Sequence, residues 1–231
     1  MHWTELAPNP IRTEGDFVAF LNQVGVCLWK PAGALVFPNM ADQMDLARPE
    51  DLWDTWFWKD DLHIAHRLFY GKLLAGRPTF VSNDLLPAVI AAQGDVDPRT
   101  LAERGLLSAE ALRVYAALVR ERRLSVRDLR RSAGLEGSEQ KAAFETALER
   151  LSAWFQICKV GITGRTRGTY GYIWGLVEEW TPETLTAAAG LEPGDARRCV
   201  RDRLAAHGVA PTPAQWRRLF GWEPQDSPDA A

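Results

Sequence analysis

Arg127, Arg130 and Arg131 are three and four residues apart, the spacing that puts side chains on one face of a helix. A second basic pair, Arg165 and Arg167, sits in the string GRTRG, whose glycines make a turn able to approach another backbone closely. Ser138 and Lys141 open a third segment, where a capping hydroxyl, free amides and the helix dipole favour an anion. Guanidinium, ammonium and amide donors of this kind suit phosphate oxygens. These seven residues are the predicted contacts to a nucleic-acid backbone, and double-stranded DNA is the predicted partner. Glu139, Glu145 and Glu149 lie in the same stretch and oppose that reading, because carboxylates repel phosphates. The competing assignment is a solvated surface on a protein-interaction module.

Other residue types offer less. His63 and His66 follow Asp60 and Asp61, but no further spaced ligand completes a metal site, so they read as surface histidines and no metal is predicted. The string WDTWFWKDDL supplies either a stacking platform for an unstacked base or a tightly packed core helix. Trp53, Trp56 and Phe57 at helical spacing favour the core, which leaves Trp58, beside Lys59, as the exposed ring. Cys27, Cys158 and Cys199 are far apart and odd in number, which argues against a disulfide framework and for a reducing compartment. No P-loop, nucleophile elbow or dinucleotide fingerprint occurs, so no cofactor is expected. No catalytic residue is assigned by pattern alone.

The elements that would position the basic groups are clearest between Ser108 and Trp174. Ser108 caps a helix to about Glu121, with Leu112, Tyr115, Ala116 and Val119 as its expected buried stripe. Ser125 and Asp128 have the spacing of a capping box and open a short helix to Ala133. A third helix runs from Ser138 to about Phe155, with Phe144, Leu148 and Leu151 on one face. QICKVGIT and TYGYIWGLV then alternate as strands around GRTRG. Three helices and a basic-tipped hairpin are the plan of a winged helix-turn-helix.

Upstream, residues 1–15 read as an extended arm, and Asp16 as the cap of a helix bearing Phe17, Phe20, Leu21 and Val24. VCLW is strand-like, a second helix opens at Pro49 with Glu50 and Asp51 in its first turn, and a hairpin turns at Ala75-Gly76-Arg77. Asn83 caps a helix through Ala92, and GDVDPRT is a linker. This is a second, less complete winged-helix pattern. After Trp180, helices begin at Pro182, Pro193 and Pro213, the last capped by Thr212. The predicted fold class is α+β, mostly helical, with tandem winged helix-turn-helix units and a C-terminal helical appendage. The predicted boundaries are 1–95, 96–180 and 181–222, with a disordered tail over 223–231.

Composition is ordinary for a globular chain of 231 residues, 46% hydrophobic and 25% charged. Charge is not evenly spread. Ser108–Gly175 carries 12 lysines and arginines against 7 acids, a net of +5 within a chain whose total is −3. No apolar run approaches the ~20 residues of a membrane helix, and the N-terminus lacks a signal-peptide pattern. A cytoplasmic location and no membrane partner are expected.

The strings NQVGVCLWKP, WFWKDDL, FYGKLLAGRPTFVS, NDLLP and RRLFGW, together with the winged-helix pattern, resemble the AlkZ/YcaQ-like winged-helix family, most of all its shorter AlkZ-related branch. The resemblance spans nearly the whole chain. It implies tandem winged helices and DNA glycosylase chemistry on alkylated or crosslinked bases, with a Gln-x-Gln or Gln-x-Asp motif after an early helix. The matching segment here is Val24–Trp29, which puts Cys27 and Trp29 at the two catalytic positions. Neither supplies the amide or carboxylate that would position water and stabilise an oxocarbenium-like sugar. Both are expected to be buried and structural. Three readings follow: a DNA-binding protein of repair or genome maintenance that has lost the glycosylase motif, a glycosylase using a relocated acid such as Asp60 or Asp61, and a protein-interaction module.

Overall fold

The computed structural model describes residues 1–33, 35–44, 49–94 and 97–222, without the side chains of 49–54. The expectations for the 223–231 tail, for Glu50, Asp51 and Trp53, and for the Asp95-Val96 part of the linker lie outside the described residues. The fold is α+β, 53% helical, with two small three-stranded antiparallel sheets. The chain divides into two compact units, Asp95–Leu185 and the remainder on either side of it.

The first unit begins with a short 3-10 turn at Trp3–Glu5, not a free arm. Trp3, Leu6 and Ile11 are buried, and Trp3 N–H donates to the His207 carbonyl at 3.0 Å. Helix α1 (Glu14–Val24) buries Phe17, Val18, Phe20, Leu21 and Val24. Its cap is Thr13, and Asp16 stands three residues in, returning a bond to the Thr13 N–H at 2.9 Å. The capping box was therefore displaced by three residues from the expected cap. Gly25 ends α1 at φ +80°, and a Cβ there would lie 2.5 Å from Leu85 Cδ2, so glycine is needed twice over.

Strand β1 (Val26–Leu28) follows, then α2 (Pro49–Ile64), β2 (Phe69–Lys72) and β3 (Pro78–Val81). The sheet order is β1-β3-β2, with Phe80 paired to Cys27 on one side and to Tyr70 on the other. Helix α3 (Leu86–Ala91) is buried. Asn83 does not cap it: its amide donates to the His66 carbonyl at 2.8 Å, and residues 83–85 form a turn before the helix starts.

The second unit opens with α4 (Pro98–Glu103), capped by Asp97, and α5 (Ala109–Glu121), capped by Ser108. The buried stripe of α5 is Ala111, Val114, Ala117 and Leu118, while Val119 is 50% exposed and Ala116 is exposed. The predicted stripe is therefore rotated by about one residue. The reason lies in the partner surface: Phe144, Leu148, Leu151 and Trp174 already fill the core, so the small side chains of α5 face them.

Strand β4 (Leu124–Ser125) leads directly into α6 (Val126–Ser132), whose N-cap Ser125 accepts from the Asp128 N–H at 3.2 Å. Leu129 and Ala133 pack inward. A 3-10 turn at Ser138–Gln140 precedes α7 (Lys141–Ala153), which buries Phe144, Leu148 and Leu151 as expected. Strands β5 (Ile157–Ile162) and β6 (Tyr172–Leu176) complete the sheet in the order β4-β6-β5. Helix α8 (Val177–Trp180) continues β6, and α9 (Pro182–Ala189) leaves the unit.

Helices α10 (Pro193–Ala205) and α11 (Pro213–Phe220) rejoin the first unit. Arg203 donates to the Asn22 carbonyl at 3.0 Å and to Asp84 at 2.7 Å, and Arg197 to the Ala92 carbonyl at 2.9 Å. Thr212 and Gln215 form the capping box of α11. Among the described residues, no helix is long and apolar enough to cross a membrane.

Candidate nucleic-acid interface

The small sheet of the second unit sets where the basic groups lie. Ser125 pairs with Ile173, and Gly161 pairs with Ile173 from the other side. One residue further along β6, Tyr172 pairs with Ile162, and beyond them the chain leaves the sheet as the 163–171 loop. The first turn of α6, carrying Arg127, thus starts at the loop end of the sheet.

That loop is internally held. Thr163 N–H donates to the Gly171 carbonyl at 2.9 Å, and the N–H groups of Thr169 and Tyr170 both donate to the Thr166 carbonyl. Gly164 is there for Thr169, whose Oγ1 would stand 2.3 Å from any added Cβ. This is a different reason for the glycine than approach to a partner backbone. Arg165 and Arg167 are exposed on the resulting tip. Tyr170 and Tyr172 bond through their hydroxyls at 2.9 Å at its base.

The other five predicted contacts fare differently. Arg127 is exposed and enters no ion pair among the described residues. Arg131 is shared between Asp128 at 3.3 Å and Glu136 at 3.4 Å, and all three side chains are about half exposed or more. Lys141 faces Glu145 at 3.9 Å on the exposed side of α7. Such surface pairs are weak and yield readily to a phosphate. Ser138 is exposed, but it caps nothing: Gln140 N–H closes the turn on the Gly137 carbonyl, and the Ser138 hydroxyl turns to Glu139. Arg130 is directed inward. Its Nε donates to the Leu135 carbonyl at 3.1 Å, its Nη2 to the Glu136 and Gly137 carbonyls, and its guanidinium lies 5.8 Å from the Phe144 ring centre. It staples the turn between α6 and α7.

A second cluster, in the first unit, was missed by sequence reasoning. Lys59 and Asp60 form an ion pair at 2.5 Å with both side chains only 2% exposed. Lys59 Nζ lies 4.4 Å from the Trp56 ring centre and 6.0 Å from that of Tyr70. Among the described side chains of α2, Trp56, at 43% exposed, is the outward ring, while Lys59 is buried and Trp58 is only partly exposed; the expectation for Trp58 is corrected. Burial pushes the Lys59 ammonium below the ordinary lysine range, with Asp60 partly opposing the shift. His63 is also buried rather than superficial: its Nδ1 accepts from the Tyr70 N–H at 3.2 Å, and its ring meets Phe69 edge-on.

Cys27 and Trp29 belong to this neighbourhood. Cys27 pairs directly with Phe80 and so shares its face of the sheet with Phe80 and Tyr70, and Trp29, just past the end of β1, joins that face through its ring contacts. Trp29 stacks on Phe80 at 5.7 Å between ring centres and meets Trp56 edge-on at 5.5 Å. Cys27 is fully buried, and burial alone pushes its thiol well above the ordinary range, which leaves it inert. Trp29 is only half-buried. The signal that could have found the cluster was Lys59 itself, a lysine on the inward face of an aromatic helix.

A sequence profile of the AlkZ-related family matches residues 11–221. The chain belongs to that family, and membership associates it with DNA repair. No curated protein and no solved structure matches it significantly.

Proposed function

We propose that the Asp95–Leu185 unit is a winged helix-turn-helix that holds duplex DNA by its phosphates in a repair setting, and that the protein has lost the glycosylase motif at Cys27 and Trp29. The order helix, strand, helix, helix, hairpin matches that plan, with the 163–171 loop as the wing. The observation that carries the reading is the common end of the sheet at which Arg165, Arg167 and the first turn of α6 emerge. Arg127, Arg131 and Lys141 add charge that weak surface pairs do not tie up. Glu145 and Glu149 on α7, with Glu139 in the turn before it, disfavour insertion of that helix among base edges. Binding is therefore expected to follow the backbone with little sequence discrimination.

Fluorescence anisotropy of labelled duplexes of unrelated sequence, titrated at several salt concentrations, tests this. Affinity should be similar across sequences and fall steeply and linearly in log affinity against log salt. Absence of duplex binding at low salt would overturn the reading in favour of a protein-interaction module.

A further inference from the structure

Tyr170, Tyr172 and Trp174 form one aromatic row that runs from the core of the second unit to the base of the 163–171 loop. Trp174 is buried in the core, Tyr172 packs against it, and Tyr170 is the ring nearest the tip. Alternation along β6 puts Tyr172 and Trp174 on one face of the sheet. Tyr170, just before the strand, joins them through its ring, 5.5 Å from that of Tyr172, and through the bond between the two hydroxyls. Lys159 pairs with Trp174 across the sheet and is nearly buried, with its ammonium 4.2 Å from the Tyr172 ring centre. A cation–π contact and a hydroxyl pair thus hold the row in place, and both tyrosines are still partly exposed. Neither ring is needed to shape the loop, whose own bonds run through Thr163, Thr166, Thr169 and Gly171.

We propose that Tyr170, backed by Tyr172 and Lys159, is a stacking platform for an unpaired base, and that the ligand of this unit is duplex DNA interrupted by an unpaired nucleotide. That DNA is the ligand rests on the reading above; the unpaired base adds the substrate class. Arg165 and Arg167 are exposed on the tip, five and three residues before Tyr170, so a strand whose phosphates meet them passes close to the ring. In intact duplex every base is covered by its neighbours, and a ring beside the backbone finds no open base face. An unpaired base leaves the stack at small cost and offers its π-face to the ring. The arginines then supply affinity common to every duplex, and the tyrosine adds affinity only where a base is loose. Every base has such a face, so the preference is for the unpaired nucleotide and not for its identity.

Anisotropy titrations of the full chain against an intact duplex, the same duplex with one bulged nucleotide, and the single strand test this. The bulged duplex should bind on the order of tenfold more tightly than the intact one. Tyr170→Leu should lose that margin while keeping its affinity for intact duplex and its salt slope. Tyr170→Phe, which keeps the ring, should retain most of the margin. A readout that needs no variant is photocrosslinking: 5-iododeoxyuridine at the bulged position should couple to Tyr170, located by peptide mass spectrometry. Equal affinity for bulged and intact duplex, a margin that survives in folded Tyr170→Leu, or a crosslink confined to residues outside 163–172 overturns the proposal and leaves the DNA reading standing. Binding of the bulged duplex and the single strand, with none of the intact duplex, keeps the platform and sinks the duplex reading. No binding of any probe at low salt overturns both.

Discussion

Ser125 lies opposite Ile173 in the β4–β6 pair, one register step from the point where the chain leaves the sheet as the 163–171 loop. A helix begun by that serine must start beside the loop. Local capping chemistry and strand register therefore bring Arg127 to the end of the sheet that carries Arg165 and Arg167, although nearly 40 residues separate them in sequence.

Arg127 and Arg130, three residues apart, should separate cleanly on substitution. Arg130→Ala removes donors to three carbonyls of the α6–α7 turn, and should cost about 1–3 kcal/mol of stability. It should leave the salt dependence of duplex binding unchanged. Arg127→Ala should do the reverse: little loss of stability and a slope shallower by about 0.9. Urea unfolding and anisotropy on the same preparations check both.

The rotated stripe of α5 gives a packing prediction. Val114 is fully buried, so Val114→Ala removes two buried methyl-sized groups and should cost about 2 kcal/mol, including the cavity left. Val119→Ala, five residues on, should change stability by no more than about 0.5 kcal/mol. Equal costs in thermal unfolding would restore the stripe expected from sequence.

The buried pair in the first unit should behave as a unit. Lys59→Met alone strands a buried carboxylate and should cost about 3–5 kcal/mol, most of which a paired Asp60→Leu should recover. The pH dependence has a definite sign. Burial lowers the folded-state proton affinity of Lys59, so the unfolded chain holds that proton more firmly. Stability should rise with pH from the lowered folded value up to the unfolded one, near about 10.4, and be lost on acidification through that window. Denaturant unfolding across alkaline pH should show this slope in the parent chain and not in the double variant.

At the surface of the first unit, Asp84 joins the β3–α3 turn to α10. Burial pushes its carboxyl up, but the Ser82 hydroxyl and Arg203 outweigh this and hold it below the ordinary range. The stabilisation is present above the unfolded carboxyl value of about 3.9 and lost as pH falls through the folded one. Because the carboxyl is half exposed, Asp84→Asn should cost about 1 kcal/mol or less, measured by thermal unfolding at neutral pH.

Much of the fold was legible because its signals are local. Ser108, Ser125 and Thr212 cap the helices expected of them, and GRTRG turns a hairpin. What escaped depends on partners distant in sequence. Arg130 shares a helical face with Arg127, yet the carbonyls that capture it belong to a turn whose path periodicity does not encode. On α5, two apolar stripes lie one residue apart, and only the bulk of Phe144 and Trp174 selects between them. Thr13 and Asp16 are both competent caps, and their reciprocal bonds decided for Thr13. The Lys59 cluster was hidden for a different reason: its aromatic walls come from the residue after β1 and from α2, β2 and β3, elements far apart in sequence that the sheet brings together.

The central claim is that the wing holds phosphates. Arg165→Ala combined with Arg167→Ala tests it most directly, because the loop's own bonds run through Thr163, Thr166, Thr169 and Gly171 and survive the change. In anisotropy titrations against salt, the folded double variant should show a slope shallower by about 1.8, with weakened affinity for every duplex sequence alike. An unchanged slope in a folded double variant would contradict the account and remove the wing from the binding surface.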